Sequence, residues 1–429
     1  MARKISVLDT TLRDGAQREG ISFSVEDKLR IAQELDRLGV AYVEGGYPGS
    51  NPKEVAFFAR AQDLDLEHAK IAAFGNTRHA ETSVEEDDNI RALLEAGTSV
   101  AVIVGKSSPM QVKEVLRTSL AENLAMIRDT VTYLKGQGLE ILFDAEHFFD
   151  GYDLDADYTL ETLRAAQEAG ADYLVLCDTK GGTLPSEVSD IVSIVHRALP
   201  EARLGIHAHD DAGVAVANTL VAVEAGATHV QGTINGYGER CGNANLCTVI
   251  PNLQLKMNCQ ALADGDLAMI SPASHYITEI ANLRPDDHAP YVGNSAFAHK
   301  GGLHASALLK NADSYQHVDP ALVGNEMRVL VSELSGRGNI AHKLSELDLP
   351  VEPDAEEMRH LVERVKLLES QGFQFEGAEG SFELLIRRTQ PGYERPFRVL
   401  DFLVLVEKRT EKDILAEATV KAEVDGEII

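Results

Sequence analysis

The strongest constraint on the fold is an alternation repeated eight times before residue 258. Short apolar runs ("ISVLD", "AYVEGG", "KIAAFG", "SVAVIVG", "EILFDAE", "DYLVLCD", "RLGIHAH" and "THVQGTING") are separated by longer stretches with a helical period, such as "VEDKLRIAQELDRLG", "TLETLRAAQEAG" and "VAVANTLVAVEAG". Several of these end in the glycine that closes a helix C-terminus. Strands buried on both faces and alternating with helices make a parallel sheet. Eight such units in about 250 residues is the arithmetic of a (β/α)₈ barrel. A doubly wound open sheet is the alternative, but no GxGxxG opens the first helix. The chain therefore reads as α/β: a (β/α)₈ TIM barrel over 1–260, a helical linker subdomain over 261–350, and a helix plus the strand-rich start of an α/β regulatory-type region over 351–429.

In such a barrel the chemistry sits at the C-terminal ends of the strands. The sequence puts Arg13 and Asp14 after strand 1, Glu44 on strand 2, Glu146 on strand 5, and Asp178 and Thr179 on strand 6. Strand 7 ends in His207 and His209, and the loop after strand 8 carries Glu239, Arg240 and Asn243. Any one of these can be a helix N-cap, and Asp178 or Thr179 alone is more often that than catalytic; their joint placement on one rim points to a site. Within "LGIHAHDDAG" the period of two puts both imidazoles on one face, with Cα atoms roughly 6.5–7 Å apart. Strands 1, 7 and 8 are neighbours once a barrel closes, so Asp14, His207, His209 and Asn243 can converge. A mixed nitrogen and oxygen set with room for water or substrate suits a catalytic Zn²⁺, Mn²⁺, Co²⁺ or Mg²⁺ rather than a closed structural zinc. The ligand types do not choose among these metals.

Composition excludes several other functions. A formal net charge of −28 over 429 residues argues against a nucleic-acid binder and against docking on anionic lipid. The four cysteines, Cys177, Cys241, Cys247 and Cys259, form no CxxC pair, so neither a disulfide framework nor a zinc scaffold is expected. No signal-peptide stretch and no candidate membrane span are seen, and the expectation is a soluble cytoplasmic protein.

Longer motifs add a resemblance. "LRDGAQ" at 12–17 with Lys28, "LGIHAHDDAGVAVA" at 204–217, "GYGERCGN" at 236–243, "NSAFAHKGGLHASAL" at 294–308 and "YQHVDPALVGN" at 315–325 span nearly the whole chain. They resemble the 2-isopropylmalate and homocitrate synthase family, and "GGYPGSNPKE" at 45–54 is most similar to its bacterial citramalate synthases. The resemblance implies a metal-dependent Claisen condensation of acetyl-CoA with a 2-oxo acid. For a citramalate synthase that acid is pyruvate and the product is (R)-citramalate, in isoleucine biosynthesis. It also implies roles by position. Asp14, His207, His209 and Asn243 would hold the metal, and Arg13 would donate to the developing oxyanion. Thr179 would hold the substrate carboxylate, with Gln17 and Glu44 orienting substrate. Glu146, His304 and Tyr315 would serve proton transfer, His304 exchanging protons near neutrality and Tyr315 orienting or donating.

Plainer roles stand beside these. Glu44 can simply pair with Arg13, Asp210 and Asp211 can cap or support their neighbours, and His299 can be structural. Cys241 has no histidine partner nearby to make it a nucleophile.

Beyond the barrel, "NCQALADGDLAM" at 258–269 reads as a boundary. A helix-rich segment to about 345 carries His299, His304 and Tyr315. In the family this subdomain packs over a partner's barrel, which implies a homodimer. Residues 353–371 have a helical period, whereas "SFELLIRR", "FRVLDFLVLVEKR" and "ILAEATVKAEVDGEII" read as strands. These strands resemble only the opening of the family's regulatory domain, so weak or absent feedback inhibition by a branched-chain amino acid is expected. The competing readings are a synthase for another 2-oxo acid, a carbon–carbon lyase of the hydroxymethylglutaryl-CoA lyase or aldolase type, and a non-catalytic barrel. The last leaves the chemically competent residues on the rim unexplained.

Overall fold

The computed structural model describes residues 2–262, 266–308, 310–332, 336–346, 354–390, 392–408 and 414–429. Eight parallel strands close into a barrel in sequence order. They are β1 Ser6–Asp9, β2 Tyr42–Gly46, β3 Lys70–Asn76, β4 Val100–Lys106, β5 Glu140–Glu146, β6 Tyr173–Asp178, β7 Leu204–Ala208 and β8 His229–Gly232. Closure is by β1 against β8, where Ser6 faces His229 and Leu8 faces Gln231. The eight apolar runs thus form the eight strands.

Alternation along each strand divides the side chains between two cores. Val43, Ala73, Ile103, Phe143, Leu176, Ile206 and Val230 belong to the large cluster that the surrounding helices cover. Leu8, Tyr42, Ala72, Val100, Val102 and Leu142 form a separate cluster inside the barrel. The same inward parity, carried toward the C-terminal ends, points Glu44, Phe74, Asp144, Glu146, Cys177, His207 and Gln231 into the lumen. The strand period therefore fixes which polar residues share the mouth.

The helices start and stop where local chemistry dictates. The Val25–Leu38 helix begins with a capping box between Ser24 and Asp27 and ends at Gly39, whose φ of 87° suits glycine. No helix among the described residues is long and apolar enough to cross a membrane.

The chain divides into two compact units, residues 1–298 with 316–328, and residues 299–315 with 329–429. Residues 261–298 cluster with the barrel, because Ile270, Ala273 and Ile277 of the Ile270–Ile280 helix bury into its outer core. The expected boundary segment at 258–269 is described except for 263–265, which lie outside the described residues.

The second unit has its own core of Val331, Ile340, Leu344, Met358, Leu361, Val365, Phe375, Phe382 and Ile386. The expected helix near 353–371 runs Ala355–Ser370, capped by Asp354. One expectation is corrected here: "SFELLIRR" is not a strand but lies in the Glu379–Arg387 helix. Phe382 and Ile386 stand one helical turn apart and both are buried, a spacing of four that outweighs the short apolar run. The last two segments are strands, Arg398–Lys408 pairing antiparallel with Ile414–Val424, followed by Glu427–Ile428.

Candidate active site

At the C-terminal mouth of the barrel a cavity of about 500 Å³ is lined by Arg13, Asp14, Gln17, Tyr47, Phe74, Asp144, Glu146, Thr179, His207 and His209, among others. The walls come from loops and strand ends of both halves of the barrel, as expected for this fold. Asp14, His207 and His209 are all buried and offer ligand atoms within 4.8 Å of one another. Each histidine Nε2 lies 3.8 Å from Asp14 Oδ2, and the two imidazole centres are 5.2 Å apart.

Asn243 is brought to the same point by the loop after β8. Asp210 N–H donates to the Gly242 carbonyl, Ala244 N–H donates to that of Ala208, and His209 and Asn243 form an isolated bridge. The turn demands glycine at 242: φ is 102°, and an added Cβ would stand 2.0 Å from the Gly236 carbonyl oxygen. Asn243 Nδ2 donates to Asp14 Oδ1 at 2.8 Å, while Asn243 Oδ1 is buried without a hydrogen-bond partner. A buried amide oxygen with no donor beside a carboxylate and two imidazoles fits a cation, because that oxygen is otherwise desolvated at a cost of about 1–3 kcal/mol.

The electrostatics favour the same use. Burial alone would raise the Asp14 carboxyl, but Arg13 and the two imidazoles outweigh it and hold the group well below the usual carboxylate range. Burial lowers His207, and burial reinforced by His207 pushes His209 down to about 4. Both imidazoles are thus neutral near pH 7 and keep a lone pair to offer.

Arg13 is fixed from three sides. Its Nε donates to Glu44 at 2.7 Å, its Nη1 donates to Asp14 at 3.0 Å, and its guanidinium lies 4.2 Å from the centre of the Phe74 ring. Glu44 is fully buried beneath it, hydrogen-bonded by Thr10 Oγ1 as well, so the plain pairing with Arg13 is what the structure contains. Thr179 Oγ1 accepts the His147 N–H at 2.8 Å, which leaves its own proton to give away. Glu146 is paired with Lys106 on β4. Gln17 is exposed on the cavity rim. Asp210 accepts the Ala215 N–H at 2.8 Å and so supports the next helix. Asp211 forms a two-pronged pair with Arg240, whose Nη2 also donates to the Thr179 carbonyl.

His304 and Tyr315 fall in the second unit, and the residues above all fall in the first. Their rings stack on one another at 4.3 Å with 28° between planes, and Tyr315 is 47% exposed. His299 belongs to the second unit too, lowered by burial and by His304. Cys241 is exposed, and Cys177 is buried so that its thiol is pushed far up, which disfavours the thiolate a nucleophile needs.

Sequence reasoning missed Asp144, Gln231, Phe74 and Lys106, all of which the strand period turns inward near the mouth. It also left Lys28 without a partner. Lys28 is buried and donates to both carboxylate oxygens of Glu54, at 2.8 and 2.6 Å, behind the loop that lines the cavity.

Residues 4–275 match the HMGL-like family, and residues 291–372 match the homocitrate synthase post-HMGL domain-like family. A hydroxymethylglutaryl-CoA lyase from Bacillus subtilis shares the barrel fold at a TM-score of 0.55 and 22% identity, over 66% of this chain and 95% of that one. The class is therefore the HMGL-like barrel enzymes. An (R)-citramalate synthase from Synechocystis is 52% identical over 98% of this chain and 79% of the relative, and one from Geobacter sulfurreducens is 50% identical over 99% and 80%. A homocitrate synthase from Methanopyrus kandleri stands further off at 34% over 85% of this chain. The chain belongs to the HMGL-like family and, within it, to the (R)-citramalate synthases.

Proposed function

We propose that the protein condenses acetyl-CoA with pyruvate, water then cleaving the thioester to give (R)-citramalate and free CoA, with a divalent cation held by Asp14, His207, His209 and Asn243. The observation that carries the site assignment is the buried cluster of Asp14, His207 and His209, with ligand atoms within 4.8 Å of one another, beside an Asn243 that contacts Asp14 and whose Oδ1 is buried without a partner. When bound, such a cation supplies Lewis-acid polarisation of a 2-oxo acid's ketone.

The chain's own residues do the rest. Arg13, held by Glu44 and Asp14 against Phe74, presents a fixed cation to the oxyanion that develops as the new carbon–carbon bond forms. Thr179, whose hydroxyl already accepts from His147, donates to the substrate carboxylate. Gln17 orients substrate at the rim, and Glu44 acts on it through Arg13. Glu146 with Lys106 positions the groups that exchange protons. His304, stacked on Tyr315, takes the acetyl-CoA methyl proton while Tyr315 orients the ring. In this reading His304 and Tyr315 of one subunit serve another's barrel, so the working form is a homodimer. Its product enters isoleucine biosynthesis in the cytoplasm.

Chiral chromatography of the product from acetyl-CoA and pyruvate tests the reading. A single peak at (R)-citramalate is expected. Turnover of 2-oxoisovalerate or 2-oxoglutarate in preference to pyruvate would replace the substrate assignment, and cleavage of citramalyl-type thioesters without condensation would replace the reaction.

A further inference from the structure

Inside the barrel, below the cavity mouth, three polar side chains form a chain of which the proposed chemistry uses only His207. His207 on β7 and Gln231 on β8 are partners in the parallel register, and both point inward. His207 Nδ1 lies 2.9 Å from Gln231 Oε1, and Gln231 Nε2 donates to Asp144 Oδ1 on β5 at 2.9 Å. All three are buried, with Gln231 fully so.

The orientation of the Gln231 amide sets the direction of the chain. A carboxylate only accepts, and a carboxyl with its proton on Oδ2 still accepts at Oδ1, so Asp144 calls for the NH₂ end of Gln231. The structure places the amide accordingly, with Nε2 on Asp144 Oδ1 and Oε1 on His207 Nδ1. The carboxamide must then offer its oxygen to His207, and an oxygen acceptor requires a proton on Nδ1. The remaining nitrogen, Nε2, keeps its lone pair and lies 3.8 Å from Asp14 Oδ2. His209 has no such support, since its Nδ1 is buried without a hydrogen-bond partner.

We infer that Gln231, anchored by Asp144, is a positioning residue that holds His207 in the Nδ1-protonated tautomer and so keeps Nε2 available to a cation. The inference rests on the ligand assignment proposed above. It also separates the two histidines: His207 has a side-chain partner at Nδ1 and His209 has none.

Long-range ¹H–¹⁵N spectra of the metal-free protein, with His207 assigned by its loss in His207→Gln, read the tautomer directly. The Nδ1–H form is expected in the wild type. In Gln231→Leu that preference is lost and Mn²⁺ affinity by calorimetry falls about 10–100-fold, the usual cost of removing a hydrogen bond to a ligating histidine. Gln231→Glu keeps an oxygen acceptor and restores both. An Nε2–H tautomer in the wild type overturns the inference, and so does Gln231→Leu with tautomer and affinity unchanged, or with affinity lost and tautomer kept. Should Gln231→Leu not fold, the wild-type and Gln231→Glu spectra decide alone. A wild type that shows the Nδ1–H tautomer yet binds no Mn²⁺, Zn²⁺, Co²⁺ or Mg²⁺ removes the ligand assignment instead, a failure separable from that of the relay.

Discussion

Asn243 donates its amide N–H to Asp14 Oδ1 at 2.8 Å and leaves its own oxygen buried without a partner. One side chain therefore both orients a carboxylate and offers a second donor atom beside it. Asn243→Ala is expected to weaken divalent-metal binding by at least the ~10–100-fold typical of losing a ligand's supporting hydrogen bond. Calorimetry against Mn²⁺ checks this, and unchanged affinity would remove Asn243 from the ligand set.

The Arg240–Asp211 pair ties the loop that carries Asn243 to the loops after β6 and β7, because Arg240 also reaches the Thr179 carbonyl. The arginine is 39% exposed in its side chain, so as an ion pair it contributes only about 0–1 kcal/mol of stability. Its larger effect is positional. Arg240→Ala should leave the thermal midpoint nearly unchanged while lowering turnover, and Arg240→Lys should not recover it, since a lysine cannot span both carboxylate oxygens and the carbonyl. A parallel loss of stability and activity in the alanine variant would point to a folding role.

Lys28 and Glu54 form a buried ion pair whose lysine side chain is only 2% exposed. Lys28→Met leaves Glu54 without its cation and should cost about 3–5 kcal/mol, whereas Lys28→Met with Glu54→Leu should regain most of that loss. Urea unfolding of the two variants measures the difference. Equal destabilisation of both would mean that shape, not charge, is what the pair provides.

Much of this site was readable in the sequence, for a definite reason. His207 and His209 are adjacent on a strand whose period is two, and Asp14 and Asn243 sit beside them once the barrel closes; strand order and parity suffice. Gln231 and Asp144 lie on strands 8 and 5 and meet only across the lumen, so no local pattern pairs them. Phe74 and Lys106 read as ordinary strand residues until their inward parity is known. Arg240 was noted only as a rim residue, because its pairing with Asp211 depends on the φ of +57° that turns its loop. The misread "SFELLIRR" shows the opposite failure: a short apolar run is ambiguous, and only burial of Phe382 and Ile386 on one face settles it as helix.

Asp36 gives a pH dependence away from the site. Burial would raise its carboxyl, but the N–H groups of Ala69, Glu67 and His68 all donate to it and hold it below the usual carboxylate range. A carboxylate lowered on folding contributes stability above the unfolded value, and that contribution is lost as pH falls through the folded one. Asp36→Asn should therefore lower the thermal midpoint at pH 7, with the gap to wild type closing as the pH drops below about 4. A gap that persists unchanged at pH 2–3 would contradict the assignment.

Thiol release from acetyl-CoA, followed with pyruvate on chelator-treated protein before and after adding back Mn²⁺, Zn²⁺, Co²⁺ or Mg²⁺, examines the proposed reaction and its site together. CoA should appear only with pyruvate and a restored cation, and His207→Ala should abolish the restoration. CoA release that needs no metal, or that survives intact in His207→Ala, would show that the chemistry is not done where Asp14, His207, His209 and Asn243 meet.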